Sequence, residues 1–273
     1  MILRAVLFDM DDTLVDWSAR YENWDDITRQ HLLPMHTYLR RRTKQAPSVD
    51  TLMMAYHEQS RRAWESLSEP GWNCPSFIDI LRHTLLALDI PPGSVDLEAM
   101  QRRFRWGAIP GVALYGDSLS TLKFLRRAGL KTGLITNAAV PMWMRDRELK
   151  TLGLLRHLDV RLTAGDVGKI KPHPRPFKTA LKRLGVKSSE AVFIGDRVYD
   201  DVAGAQSVGM KGIWLRRGAE RNMTDIQPDA IIKSLSDLPL ILEDWYPGWQ
   251  AQKALRINHR PSLQTRLENL LER

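Results

Sequence analysis

The 273-residue chain has little sulfur chemistry to offer: its single cysteine, Cys74, excludes an internal disulfide and predicts a reducing compartment, the cytoplasm. It has no apolar run approaching the ~18 residues that a membrane-spanning helix needs. Arg4 is followed by only four apolar residues before Asp9, so no secretory leader and no membrane partner are expected. Zinc-ligand spacing, an aromatic RNA-binding motif, a basic-leucine repeat, internal repeats and low-complexity tracts are missing too. His31, His36, His57 and His83 show only the spacing that helices produce by chance.

What is present is an ordinary globular composition, 43% apolar and 26% charged, long enough for one large domain or for a core carrying a smaller one. The net charge is +8, unevenly spread. Residues 16–110 hold 12 basic and 12 acidic side chains, residues 243–273 hold 5 and 4, and the remainder holds 23 and 16. The surplus therefore lies in the segments flanking a carboxylate cluster near the N-terminus. That favours a small anionic substrate over a nucleic acid, which is not an expected partner.

The pattern along the chain divides it in three. "LRAVLF", residues 3–8, reads as a buried strand. Residues 16–110 read as about four helices. Pro34 is expected to kink or break the first, Asp50 to cap the second, and the fourth covers "SVDLEAMQRRFRWGA". After Gly111, helices alternate with short apolar strands near 131–136, 159–165, 190–195, 211–217 and 229–233, which predicts a parallel sheet covered on both faces. The expected architecture is α/β, a doubly wound Rossmann-like core (1–15 and 111–242) with an inserted α-helical cap domain (16–110). A C-terminal extension (243–273) is expected to dock through Trp245, Tyr246 and Trp249 and to end in a short helix, "SLQTRLENLLER". A monomer or homodimer is expected.

In such a sheet ligands gather outside the carboxyl ends of the strands, which collects Asp9, Asp11, Thr136, Asn137 and Asp196 on one rim. Three carboxylates at the ends of two strands repel one another and cost free energy to desolvate unless a cation is shared. Mg²⁺ suits carboxylate oxygens. Lys171 sits in "GKIKPHPRPF", stiffened by Pro172, Pro174 and Pro176, where a rigid ammonium can pair with a carboxylate and a phosphate. Taken singly, Lys171 reads by default as a surface lysine before a helix, and Thr136 as a helix cap.

Taken together, "FDMDDTL", "LITN", "KPHPRPF" and "IGDRVYDDVAGAQSVGM" resemble, in order, the four motifs of the haloacid-dehalogenase-like hydrolase superfamily, over roughly residues 3–233. The resemblance implies an aspartyl-phosphate nucleophile at Asp9 and a general acid/base at Asp11. It implies phosphate-binding and charge-stabilising roles for Thr136 and Lys171, and a substrate- or phosphate-orienting role for Asn137. The metal set it implies is Asp9, Asp11 (through its backbone carbonyl), Asp196 and Asp201, holding Mg²⁺, with Mn²⁺ or Co²⁺ as substitutes. The family's dehalogenases carry no acid two residues after the nucleophile, so Asp11 directs the expectation to phosphatases acting on a small phosphorylated metabolite. A phosphomutase and a catalytically silent binding module on the same fold stay open. Asp12, Asp16 and Asp200 are expected outside the contact shell of metal and phosphate. Near the start of the cap, Arg20 with Trp17, Tyr21 and Trp24 is the candidate for gripping the leaving group.

Overall fold

The computed structural model describes residues 2–251 apart from 19, 21–22, 67–70 and 219–223. The expected terminal helix and Tyr21 lie outside the described residues.

Six parallel strands form the main sheet. They are β1 (Ala5–Phe8), β4 (Lys131–Thr136), β5 (Val160–Thr163), β6 (Ala191–Gly195), β7 (Lys211–Leu215) and β8 (Ala230–Ile232), in the spatial order β5-β4-β1-β6-β7-β8. A further pair, β2 (Val15–Asp16) and β3 (Ala113–Leu114), is antiparallel and brackets the helical segment. These two-residue strands are too short to carry a readable alternation.

β1 is buried on both faces, so its residues alternate between two cores rather than between core and water. Val6 and Phe8 join one apolar cluster, with Leu122 and Leu125 of α5 (Ser118–Arg127), Leu149 of α6 (Met142–Thr151) and Leu238 and Leu242 of α10 (Leu238–Trp245). Ala5 and Leu7 join the other, with Phe177, Leu181 and Leu184 of α8 (Pro174–Leu184) and Ala205 of α9 (Gly204–Gln206). This is the expected doubly wound α/β sheet. Tyr246 and Trp249 are buried in the first cluster, and α10 runs across residue 243 without interruption.

Between β2 and β3 lie α1 (Trp24–Arg40), α2 (Val49–Glu65), α3 (Phe77–Leu86) and α4 (Leu97–Gln101), followed after β5 by α7 (Ala164–Val167) in the sheet region. Leu32, Met35, Phe77, Leu81 and Phe104 form the helical segment's own apolar cluster, which also takes in Val140 and Met144 from the sheet side. One expectation is narrowed and two need correction. α1 runs through Pro34 without breaking, because Asn23 caps it at the start and its buried stripe, Ile27 to Leu39, is held by tertiary packing. The cap of α2 is Ser48, whose side chain accepts from Thr51 N–H; Asp50 is in the first turn and pairs with Arg29. The fourth helix stops at Gln101, because Phe104 turns into the cluster and Arg105 N–H bonds the carbonyl of His31.

Sheet topology sets where a site can form. From β1 the chain places β4 and β5 on one side and β6 to β8 on the other. The crevice at that reversal opens above the carboxyl ends of β1, β4 and β6.

Candidate active site

Asp9 is the first residue beyond β1, and its N–H continues the ladder to the carbonyl of Ile194 at 2.9 Å. Its Oδ1 lies 2.5 Å from Lys171 Nζ, which also lies 2.5 Å from Asp201 Oδ1. All three side chains are buried. Burial works against the ammonium, but the two carboxylates outweigh it and raise the Lys171 pKa. Asp9 is raised well above the usual carboxylate range, chiefly by burial. Lys171 pulls it down, while Asp201, Asp196 and Asp11 push it further up.

Lys171 is held from behind. The Asn137 amide donates to the Lys171 carbonyl (3.1 Å), and its oxygen accepts from the Lys171 N–H (2.7 Å). This two-bond clamp ties the end of β4 to the stretch before α8. Asn137 thus orients the lysine through its backbone.

Asp201 lies inside a π-helical turn, Val198–Ala203, directly after β6; such turns are frequent at functional sites. The sequence pattern predicts an ordinary helix there. The wide turn brings Asp201 back over Gly195, where a Cβ would stand 2.1 Å from Asp201 Oδ2. Asp201 Oδ2 also accepts from Arg197 N–H at 3.0 Å. Asp196 is fixed by Thr13, whose hydroxyl donates to Oδ1 at 3.2 Å, and by Trp214, whose indole N–H donates to the Asp196 carbonyl at 2.8 Å. Burial, then the Asp201 charge, pushes the Asp196 carboxyl up to about 6.

Oxygens of Asp9, Asp196 and Asp201 lie within 4.8 Å of one another. This donor set fits a hard divalent cation: all the ligand atoms are carboxylate oxygens, and two of the carboxylates are destabilised in their charged form by burial and mutual repulsion. The cluster could hold a metal ion. The side chain of Asp11 stands outside it.

Asp11 instead faces three donors. Trp17 Nε1 is 2.9 Å from Oδ1, Arg145 Nη2 is 2.6 Å from Oδ1 and 2.9 Å from Oδ2, and Thr136 Oγ1 is 3.3 Å from Oδ2. Thr136 therefore reaches the rim, as expected. Among the described residues, Arg20 has an aromatic neighbour rather than a carboxylate. It lies over the Trp24 ring at 4.5 Å, and Trp24 in turn stacks on Trp17 at 5.6 Å. Of the acids expected to stand apart, Asp16 accepts from Ser18 N–H, and Asp200 pairs with Arg197. Asp12 has φ +59°, a backbone state that Asp tolerates better than most residues.

Arg145 and Glu148, both buried in α6, escaped the sequence reading. "MWMRDRELK" reads as a charged, solvated helix face. The one available signal was the i, i+3 spacing of opposite charges.

Set beside known proteins, residues 3–209 match the model of the haloacid dehalogenase-like hydrolases. The chain belongs to that family. A glyceraldehyde 3-phosphate phosphatase of Methanopyrus kandleri is 30% identical over 244 residues, covering 89% of this chain and 97% of its own. A phosphoserine phosphatase of Thermus thermophilus is 29% identical over 250 residues, covering 86% and 98%. Among solved structures, a 2-haloacid dehalogenase of Pseudomonas syringae is 28% identical with a TM-score of 0.59, covering 89% of this chain and all of that one. The match makes the chain a hydrolase of the Rossmann-like fold, and its curated relatives place it with the family's phosphatases. No helix among the described residues is long and apolar enough to cross a membrane.

Proposed function

We propose that the chain is a Mg²⁺-dependent phosphatase that hydrolyses a small phosphorylated metabolite through an aspartyl-phosphate on Asp9. The observation that carries this reading is the contrast between two carboxylates two residues apart. Asp9 is buried and bonded to the fixed ammonium of Lys171. Asp11 is half-buried and turned to a different set of donors. Carboxylates in such unlike surroundings can divide the work of nucleophile and acid/base.

In the first step an oxygen of Asp9 forms a bond to phosphorus as the ester P–O bond breaks, and Asp11 delivers a proton to the departing oxygen. In the second, Asp11 takes a proton from water as that water displaces Asp9 from phosphorus. Lys171 balances charge on Asp9 and on the phosphoryl oxygens, with Asn137 fixing its backbone, and the Thr136 hydroxyl binds a phosphoryl oxygen. Asp9, Asp196, Asp201 and the Asp11 carbonyl would hold Mg²⁺, whose chemistry is neutralisation of the phosphoryl oxygens. A carbon–halogen displacement would not use an acid at the position of Asp11, so Asp11 favours phosphoryl transfer over dehalogenation.

The helical segment, residues 16–110, is assigned as the cap that shapes the leaving-group side of the site. Residues 243–273 are the extension, whose first turn packs on the core. The experiment is phosphate release from a panel of phosphorylated metabolites, with Mg²⁺ and with chelator, for the wild type, Asp9→Asn and Asp11→Asn. Metal-dependent release that falls by about 10²-fold or more in both variants is expected. Release that survives Asp9→Asn contradicts the reading. Transfer of the phosphoryl group to a second hydroxyl instead of to water would make the enzyme a mutase.

A further inference from the structure

The mechanism above uses Asp11 but not the groups that hold it. Arg145 is 3% exposed and Glu148 1% exposed. Arg145 Nη2 reaches both oxygens of Asp11, and its Nε lies 3.4 Å from Glu148 Oε2. Glu148 Oε2 accepts from Trp106 Nε1 at 3.0 Å. On the far side, Asp11 Oδ1 accepts from Trp17 Nε1 at 2.9 Å. The chain of contacts thus runs Trp106, Glu148, Arg145, Asp11, Trp17.

Its two ends are informative. Trp17 is the first residue after β2, on the connection that enters the helical segment. Trp106 lies after α4, on the path leaving it towards β3, and packs against His31 and Phe104 in the helical cluster. Arg145 and Glu148 belong to the sheet side, on α6. Each connection between helices and sheet therefore ends in an indole N–H bonded into one network, and that network converges on a single carboxylate.

Stability does not explain the network. A buried ion pair is often no more stabilising than apolar side chains of the same volume. This pair is also imperfectly satisfied: Arg145 Nε and Glu148 Oε1 are buried without a hydrogen-bond partner among the described residues. What the pair does achieve is a guanidinium that cannot swing away, bonded to both oxygens of Asp11.

We propose that Arg145, Glu148 and Trp106 are positioning residues for Asp11, and that through Trp106 and Trp17 the seating of the helical segment on the sheet sets where that carboxylate stands. This rests on the reading of Asp11 as the acid. The consequence is selective: displacing the helical segment disturbs proton delivery to the leaving oxygen more than it disturbs attack by Asp9.

The test compares kcat/KM for phenyl phosphate and 4-nitrophenyl phosphate. These esters have nearly the same shape and differ in how much the leaving oxygen needs a proton. kcat/KM reports events up to release of that leaving group. The variants are Trp106→Phe, which keeps the ring in its aromatic stack, Glu148→Gln, which keeps an acceptor for the indole, Arg145→Lys and Asp11→Asn, each checked for unchanged circular dichroism and melting. Asp11→Asn is expected to slow phenyl phosphate about 10²-fold more than 4-nitrophenyl phosphate, within the range for loss of a general acid. Trp106→Phe and Glu148→Gln are expected to shift the ratio the same way by about 10-fold, a tenth of the effect of losing the acid itself. Arg145→Lys is expected to fall between them and Asp11→Asn. If Asp11→Asn splits the two esters while Trp106→Phe and Glu148→Gln slow both equally or neither, the positioning role is refuted and the acid role stands. If Asp11→Asn does not split them, the acid role fails and the positioning role falls with it.

Discussion

Asp201 reaches Lys171 only because residue 195 has no side chain. A Cβ there would stand 2.1 Å from Asp201 Oδ2, and the Asp201 atoms behind it, at 2.2 and 2.5 Å, close off any small adjustment. Gly195→Ala is therefore expected to push Asp201 off the lysine. The cost in stability is expected to be about 1–3 kcal/mol, as for other overpacked positions. Activity should fall far more than this implies, because Lys171 loses one of the two carboxylates that fix it. Urea unfolding and phosphate release measured on the same preparation check this. A variant with normal activity would show that the Lys171–Asp201 contact is dispensable. The same residue scale explains what could be read in advance. Asp9, Thr136 and Asp196 stand at strand ends, Asp11 follows Asp9 by two residues and Lys171 sits in a proline-stiffened stretch, so their neighbours in sequence announce them. Arg145 bonds Asp11 across 134 positions and Trp106 bonds Glu148 across 42. The i, i+3 charge spacing of Arg145 and Glu148 recurs in exposed pairs such as Asp79 and Arg82, so it does not single out a buried arginine.

At the scale of elements, the helical segment carries a titratable group inside its packing. His31 of α1 lies 5.2 Å from both the Phe104 and Trp106 rings, and burial pulls its pKa down to about 4. Its unfolded value is about 6.5, so between these limits the unfolded chain binds the extra proton. The contribution of His31 to stability is complete above pH 6.5 and is lost as pH falls towards 4, reaching about 2 kcal/mol by pH 5. His31→Leu should flatten the stability profile over that window in urea titrations at pH 7, 6 and 5. Equal slopes for variant and wild type would contradict the assignment. Helix bounds are also an element-scale matter. Pro34 removes one N–H from α1 but leaves its buried stripe intact, and the helix continues. The π-helical turn after β6 has no sequence signal of its own, because its width is set by where Asp201 must lie.

On the scale of the whole molecule, three features coincide at one rim: the reversal of strand order at β1, the carboxylate cluster, and both connections to the helical segment. The alternation of helices and apolar strands made the sheet legible. Its two-sided burial follows from near-continuous apolar strands such as "AVLF" and "AVFIG". The short β2–β3 pair was hidden, because two residues hold no periodicity, yet it brings the two connections together beside the site. Trp249, buried against Phe124, shows that the sheet's apolar face extends past α10. On the proposed reading, the chemistry at this rim falls on Asp9. The most direct measurement is mass spectrometry of enzyme quenched in acid during turnover of 4-nitrophenyl phosphate with Mg²⁺, followed by peptide mapping. A phosphoryl group is expected on the peptide containing Asp9, absent from Asp9→Asn and accumulating in Asp11→Asn, where the water that would release it is not activated. Turnover with no phosphorylated peptide in either the wild type or Asp11→Asn, or a phosphoryl group mapped to another residue, would contradict it.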